Sequence, residues 1–411
     1  MRRLLYGMRL AVASPARTPR KAVVLGRLLG IAFVLCFGTG LVSHFIQHPA
    51  AWMMFPSRPV AFYQVNQAIH VLTGTLCIPL LLGKLWVVYP DLFQTPPVKS
   101  LPNLLERASI ALFVGASIVQ LAIGLLNIYQ FLPLPFYFLQ VHFALSFVII
   151  GSLALHIAVK LPIIARYWRK PDSVDEGELG VPLPPAPVAE SAPSRGLTGK
   201  VLAYIDATPT APARVSRRAL LAGVGATSVV LAVLTAGQTV TALDGANLFG
   251  PRKKGTGPQG LLVNRTSAQA KVKDTARDPN WRLQLANGDQ KLELSLADLQ
   301  AMPQTEVTLP IACVEGWSQS ATWRGVRMKE LVALVAAPAG ATIALTSLEQ
   351  RGPYRATTMD PEYVQDDLTI VALELDRKPL HLEHGFPARV MAPGRPGVLQ
   401  TKWLASIEVA K

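Results

Sequence analysis

The stretch that decides the architecture is FYFLQVHFALSFVIIGSLALHIAV, Phe136 to Val159, which holds no acid, lysine or arginine and is broken mainly by two histidines. A helix on a soluble protein keeps a polar face. This one has none, and it exceeds the roughly 20 residues needed to cross about 30 Å of hydrocarbon. Three similar runs precede it: Leu28 to Ile46, Val71 to Tyr89 and Ala108 to Ile128. Lys84 lies near the end of the second, where its aliphatic stem can carry the ammonium to the interface. The composition agrees, since half of the 411 residues are hydrophobic and 16% are charged, against about a quarter charged in a soluble protein. Residues 28–170 therefore read as four membrane-spanning helices.

The distribution of Lys and Arg orients them. The head, residues 1–27, carries Arg2, Arg3, Arg9, Arg17, Arg20, Lys21 and Arg27 and no acid. The loop from Gln47 to Asn66 carries only Arg58, and the loop around Pro133 to Pro135 carries no basic residue. Lys160, Arg166, Arg169 and Lys170 follow the fourth run. Both basic segments are expected on the cytoplasmic side. The net charge of +14 thus reads as contact with membrane lipid, and without interleaved aromatic and basic residues no nucleic-acid partner is indicated. Three cysteines provide neither a disulfide framework nor zinc spacing; Cys36 and Cys77 fall inside apolar runs and read as small buried hydrophobes.

Residues 171–214 are rich in Pro and Ala and read as a disordered linker. Residues 215–245 open with Ser216-Arg217-Arg218 and stay uncharged to Leu243, the pattern of a fifth span. The paired arginines either anchor the cytoplasmic end of that helix or form a twin-arginine export signal, with Leu220 where Phe is common. From 255 to 411 charges return and short strand-like pieces appear, from Trp281–Leu285 to Trp403–Val409, with helical patterns at Leu296–Ala301 and Met328–Ala336. The fold class expected is an all-α membrane bundle followed by a β-rich α+β domain.

Histidine inside a span marks function by default. His142 and His156 lie 14 residues apart on the fourth helix, so they face one side within about 40° at depths separated by about 21 Å. Neutral imidazole ligates haem iron, and bundles hold haem between facing helices. His70 and His142 both sit just inside the outer ends of their helices, which makes them the expected ligands of an outer b-type haem. His156 lies towards the cytoplasmic side without a partner at its depth: it either serves a second haem, assists a quinone or proton, or makes an interhelical hydrogen bond. His44 competes with His70 for the outer iron, and His48 reads as a loop residue. The pattern resembles the di-haem cytochrome b subunits of membrane formate dehydrogenases and hydrogenases, with the inner ligand on the first helix missing.

Cys313 ends an apolar strand and opens a polar turn, in Cys313-Val314-Glu315-Gly316-Trp317-Ser318. An unpaired cysteine outside the membrane is either buried and inert or held as a thiolate by a metal. This segment, with Trp323-Arg324-Gly325-Val326, Asp366-Asp367, His384-Gly385-Phe386-Pro387-Ala388-Arg389, Pro393-Gly394-Arg395-Pro396-Gly397 and Lys402-Trp403, closely resembles the molybdopterin-binding domain of the sulfite oxidase superfamily. In style it is similar to the periplasmic methionine-sulfoxide reductases, which work with a separate haem membrane subunit. The resemblance implies that Cys313 is the thiolate ligand of molybdenum. It also implies that His384, Arg389 and Lys402, with Arg395 possible, hold the phosphate of the pterin, and that Tyr354 lies near the substrate oxygen. Glu315 and Trp317 would shape the pocket. Ile311 and Ala312 stand where animal and plant sulfite oxidases carry an arginine shortly before the cysteine, which lowers sulfite as a substrate.

Taken together, the expectation is a membrane-anchored molybdenum oxidoreductase. It would transfer an oxygen atom from an S- or N-oxide, on a small molecule or on a protein, using electrons passed from quinone through haem b. The alternatives are oxidation of a sulfite-type substrate with electrons delivered to the membrane, and a non-catalytic anchor without cofactor.

Overall fold

The computed structural model describes residues 14, 16–50, 52–94, 96–131, 136, 138–169, 196–197, 199–200 and 216–410. The Pro/Ala-rich stretch and the loop around Pro133 to Pro135 fall almost wholly outside these residues. Five helices are long and apolar enough to cross a membrane: α1 (Pro19–Gln47), α2 (Phe62–Val88), α3 (Leu101–Ile128), α4 (Phe138–Tyr167) and α5 (Arg217–Ala236). Each of the first four is longer than its apolar run. α1 starts at Pro19, because a proline at the first helical position sacrifices no hydrogen bond and the basic residues after it are good helix formers. α3 starts at Leu101, where Ser100 Oγ accepts from Asn103 N at 3.3 Å.

The chain divides into two compact units, Met1–Leu35 with Thr73–Ala232, and Cys36–Leu72 with Val233–Lys411. This division does not follow the sequence boundaries, since the half of the first helical hairpin next to its connecting loop belongs with the C-terminal residues. In the first unit Leu25, Ala32, Cys77, Leu80 and Val87 form a buried cluster. Lys84 Nζ donates to Ala22 O at 2.7 Å, and Lys160 pairs with Glu106 at 2.5 Å. Both pairings answer charges at the ends of apolar helices. Exposed side chains such as Leu112, Ile118, Leu155 and Ile157 give this unit an apolar exterior, which is what hydrocarbon solvates.

The second unit is built on two five-stranded sheets. One has the order β2 (Gln290–Ser295), β1 (Arg282–Asn287), β10 (Leu404–Val409), β5 (Ile343–Ser347) and β6 (Ala356–Met359). Only the β1–β10 pairing is parallel. The other runs β3 (Thr305–Ala312), β4 (Ser318–Arg327), β7 (Ile370–Leu375) and β8 (Lys378–Pro379), with β9 (Arg389–Met391) also on β7. β1 alternates exposed Arg282 and Gln284 with buried Leu283 and Leu285, the period of two expected of a strand with one face in the core. A short helix, α7 (Leu296–Ala301), is capped by Ser295, whose Oγ accepts from Asp298 N while Asp298 returns a bond to Ser295 N. It follows α6 (Ser267–Ala270), and α8 (Met328–Ala333) and α9 (Pro361–Val364) come after it in this unit. The first sheet packs Leu283, Leu285, Leu345 and Ile407 into one core, and the second packs Leu309, Trp317, Trp323 and Leu375 into another that contains Cys313.

Strands β4, β6 and β8 go beyond the pieces expected from sequence. β4 mixes Ser, Gln, Arg and Gly with its apolar residues, so no hydrophobic alternation marks it. It is held by pairing on both sides, with β3 and β7. The register shifts between Arg324 and Gly325, and a Cβ at Gly325 would collide with the Val371 carbonyl. The glycine is there for close backbone approach.

Candidate active site

Cys313 lies one residue beyond β3, 1% exposed. Its N donates to Trp317 O at 2.9 Å and its O accepts from Gly316 N at 3.0 Å, closing a tight turn. Gly316 adopts φ +92°, a conformation that L side chains rarely take. The turn is tethered from several directions. Gln67 Nε2 donates to Val314 O at 3.1 Å, Thr239 Oγ1 donates to Gly316 O, and Ser318 N donates to Gln238 O at 2.9 Å. Glu315 Oε2 accepts from Trp317 Nε1 at 3.0 Å and pairs with Arg252 at 3.0 Å. Burial, reinforced by the Glu315 charge, pushes the Cys313 thiol well above its ordinary range, while Arg252 and Lys402 pull it down. A thiol so placed is inert in itself, and it becomes a thiolate when a metal takes the proton's place.

A second group gathers around Gly385, whose φ is +107° and whose missing Cβ would meet the Cβ atoms of Arg389 at 3.0 Å and Lys402 at 3.1 Å. His384 is buried, and its Nε2 lies 2.6 Å from Pro258 O. A carbonyl only accepts, so Nε2 carries the proton. Desolvation lowers the ring's pKa to about 4, which keeps it neutral. Arg389 is 3% exposed. It donates to His384 O at 3.1 Å and to Gln400 O at 3.4 Å, and it lies over the Trp323 ring at 4.9 Å. Its Nε is buried with no hydrogen-bond partner among the described residues. Desolvation lowers it to about 9, so it stays cationic at neutral pH. Lys402 Nζ donates to Arg265 O at 2.6 Å and Glu383 O at 3.0 Å. Desolvation first, then Arg389, bring it down to about 7.

Two buried cations whose direct partners are neutral carbonyls, one with an unmet N–H, are costly unless an anion joins them. The residues fit the phosphate of a pterin cofactor, to which guanidinium and ammonium groups donate strongly.

The structure thus brings His384, Arg389 and Lys402 together and places Arg395 elsewhere. Arg395 Nη2 donates to Thr358 O, and its guanidinium lies 5.5 Å from the Tyr363 ring. Tyr354 OH donates to Gln47 Oε1 at 2.8 Å, and its ring stacks on His48 at 6.5 Å and 24°. His44 lies 5.3 Å from His48, centroid to centroid. His70 Nδ1 lies 2.8 Å from Cys36 O, so Nδ1 is protonated and the lone pair is on Nε2. His142 lies beside Gly124, whose added Cβ would sit 3.5 Å from the ring, and His156 faces Phe113 at 5.8 Å. Among the described residues no three His, Cys, Asp or Glu converge as a metal cluster.

Sequence reasoning missed Arg252, Gln47, Gln238 and Thr239 as supports of this region. Gln47 and Tyr354 are 307 positions apart, and no local motif signals such a bond.

The family described as the oxidoreductase molybdopterin binding domain matches residues 269–411. That stretch carries the thiol, the turn and all three clustered basic groups. The C-terminal part is a molybdopterin-binding oxidoreductase domain. Human mitochondrial sulfite oxidase is 30% identical over 165 residues, covering 32% of this chain and 30% of that protein. The protein-methionine-sulfoxide reductase catalytic subunit of Campylobacter jejuni is 26% identical, covering 32% of this chain and 50% of that one. The sulfane dehydrogenase SoxCD of Paracoccus pantotrophus aligns with 22% identity and a TM-score of 0.30, over 32% of this chain and 38% of that one. The chain therefore spans between about a third and half of the length of these proteins.

Proposed function

We propose that this chain is a membrane-anchored molybdenum oxidoreductase that removes oxygen from an S- or N-oxide outside the cytoplasmic membrane. Residues 28–170 would form a haem-binding membrane domain and 215–245 a fifth span with a twin-arginine-like start. Residues 255–411 would form the extracytoplasmic catalytic domain. The observation that carries the reading is the joint presence of the buried, protonated Cys313 thiol and the buried cations Arg389 and Lys402, whose charges no neighbouring carboxylate meets directly.

Cys313 would ligate molybdenum, with soft sulfur matched to a metal that changes oxidation state. Arg389 and Lys402 would hold the pterin phosphate, and His384 would donate its Nε2–H to Pro258 O and so fix the turn at Gly385 against which both pack. When bound, the cofactor supplies two-electron oxygen-atom transfer. Overall, the oxide takes up two electrons and two protons, the bond to oxygen breaks, and water and the reduced substrate leave. Tyr354, oriented by Gln47, would place its hydroxyl towards the substrate oxygen.

His70 and His142 would ligate a b-type haem carrying electrons from quinone, with His44 competing with His70 for that iron and His156 serving a second haem or a quinone or proton role. The bond from His70 Nδ1 to Cys36 O supports this, since such a bond sets the tautomer that presents Nε2 to a metal. Oxidation of a sulfite-type substrate is the second reading, favoured by the sulfite oxidase relatives. Against it, apolar Ile311 and Ala312 precede Cys313, so no cation stands there to hold a small dianion.

Metal analysis and the visible spectrum of the purified full chain test the proposal. One molybdenum per chain with a reducible b-type band is expected, together with turnover of sulfoxides or N-oxides by a reduced viologen donor. A chain expressed with ample pterin that contains no molybdenum would overturn it. Sulfite-dependent dye reduction without oxide reduction would reverse the direction.

A further inference from the structure

The second unit holds a half-open cavity of about 310 Å³, at the small end of the range usual for ligand sites. Its walls come from the end of α1 and the loop after it, from β5 and β6, and from the segment holding Arg395. Ile46 and Phe55 line it and also share a buried cluster with Ala312, the residue before Cys313. One wall is therefore continuous with the thiol's strand.

Two opposite charges face this space. Arg395 is 5% exposed; its Nη2 donates to Thr358 O, and its Nη1 is buried without a partner among the described residues. Asp360 is the N-cap of α9, but its side chain makes no cap hydrogen bond. Burial raises the Asp360 carboxyl and Arg395 lowers it, so the two groups sense each other. Among the described residues they form no direct ion pair. A guanidinium and a carboxylate drawn from water and held apart cost free energy that a ligand carrying both complements would recover. Ile46, Phe55 and Leu399 supply apolar lining, and Gln47, His48 and Thr357 add uncharged polar groups.

We propose that this cavity is the substrate site and that it takes a free α-amino acid whose apolar side chain carries the S-oxide. The carboxylate sits on Arg395, the ammonium lies at Asp360, and the side chain points along Ile46 and Phe55 towards Cys313. This rests on the oxide-reducing function proposed above. The same residue within a polypeptide has amides in place of both charges and leaves Arg395 Nη1 and Asp360 unanswered, so the site favours the free amino acid over a protein-bound one. The end of α1 becomes a specificity element, because Ile46 walls the cavity and Gln47 holds Tyr354.

The test uses the full chain in detergent, loaded with molybdenum. Calorimetry with L-methionine, which holds the reduced sulfur and cannot turn over, is expected to show binding at least roughly tenfold tighter than N-acetyl-L-methionine methyl ester. Arg395→Met should remove the advantage of a carboxylate but leave that of an ammonium, and Asp360→Asn should do the reverse. Ala344→Phe, which fills the cavity from β5 and keeps both charged side chains, should weaken both ligands while molybdenum content stays at the wild-type level. In turnover with reduced viologen, L-methionine sulfoxide should show a KM at least roughly tenfold below that of its blocked derivative. Equal binding of free and blocked ligands, or no response to either charge substitution, overturns this inference while dimethyl sulfoxide turnover leaves the proposed function standing. Loss of all oxide turnover by the molybdenum-loaded chain overturns that function instead.

Discussion

Lys402→Met isolates the cost of keeping an ammonium in the cation cradle. Burial and Arg389 bring Lys402 from 10.5 to about 7. Between those values the unfolded chain holds a proton that the folded, cofactor-free chain lacks. Stability rises with pH wherever the unfolded state binds more protons, so the cofactor-free protein should become more stable from pH 7 upwards. One proton gives a slope of at most about 1.4 kcal/mol per pH unit, and the whole interval sets a ceiling on the order of 5 kcal/mol. For a domain of this size the slope corresponds to roughly 3–6 °C of Tm per pH unit. His384 does not confuse the window, because it is held down to about 4 and its contribution is complete by pH 7. Lys402→Met also leaves Arg265 O and Glu383 O without their donor, a loss that lowers Tm without adding a slope of its own.

The assay is thermal unfolding of chain expressed without pterin, followed by tryptophan fluorescence between pH 7 and 9.5, wild type against Lys402→Met. The wild type should climb more steeply than the variant, so the two curves diverge; Arg389, at about 9, adds a rise to both at the upper end of the range. An anion on the ammonium would hold its proton, and cofactor-loaded wild type should lose the slope. Parallel curves for the two cofactor-free proteins would show that Lys402 is not desolvated as described, and the argument for an anion at that point would fail with it.

Cys313→Ser should abolish oxide turnover and release molybdenum while leaving any b-type absorbance unchanged; a variant with full activity would refute the ligand assignment. His142→Ala should remove the outer haem band from the spectrum, and an unaltered spectrum would reject His142 as a ligand. Trp323→Ala, at a side chain fully buried in the second core, should cost about 3–5 kcal/mol by denaturant unfolding of the cofactor-free chain. It should also weaken cofactor retention, because the Arg389 guanidinium rests on that ring.

The apolar helices were legible because a long uncharged run leaves a helix no polar face, a rule that every residue of the run obeys. Helix ends were less so: α1 and α3 extend past their apolar runs into basic or polar residues whose helicity hydropathy does not report. In the C-terminal part, alternation marked β1 and β3, but β4 follows backbone pairing on both edges and its side chains do not announce it. Cys313 and the basic set stood out through local motifs. Arg395 fell in the same motif-rich stretch yet points to a different place, since only the fold separates it from Arg389. The Gln47 bond to Tyr354 and the tether of Gln67 to Val314 were beyond sequence reading altogether, because they depend on Cys36–Leu72 and the C-terminal sheets forming one unit.

The three clustered basic residues differ in how they carry charge, and that difference has a consequence. Arg389, at about 9, is charged throughout the neutral range. His384, at about 4, is a neutral donor tied to Pro258. Lys402, at about 7, is half-charged near neutrality and is the one member whose state the environment can move. A phosphate placed between Arg389 and Lys402 would stabilise the ammonium and draw a proton on to it, so at pH 8 the wild type should take up close to one proton more on cofactor binding than Lys402→Met does, the proton released by the Cys313 thiol being common to both. The same ammonium lowers the Cys313 pKa, so charging Lys402 also favours loss of the thiol proton. The phosphate end and the thiolate end are thereby coupled through one lysine: occupancy of the first makes the second easier to ionise, and an uncharged residue at 402 would uncouple them.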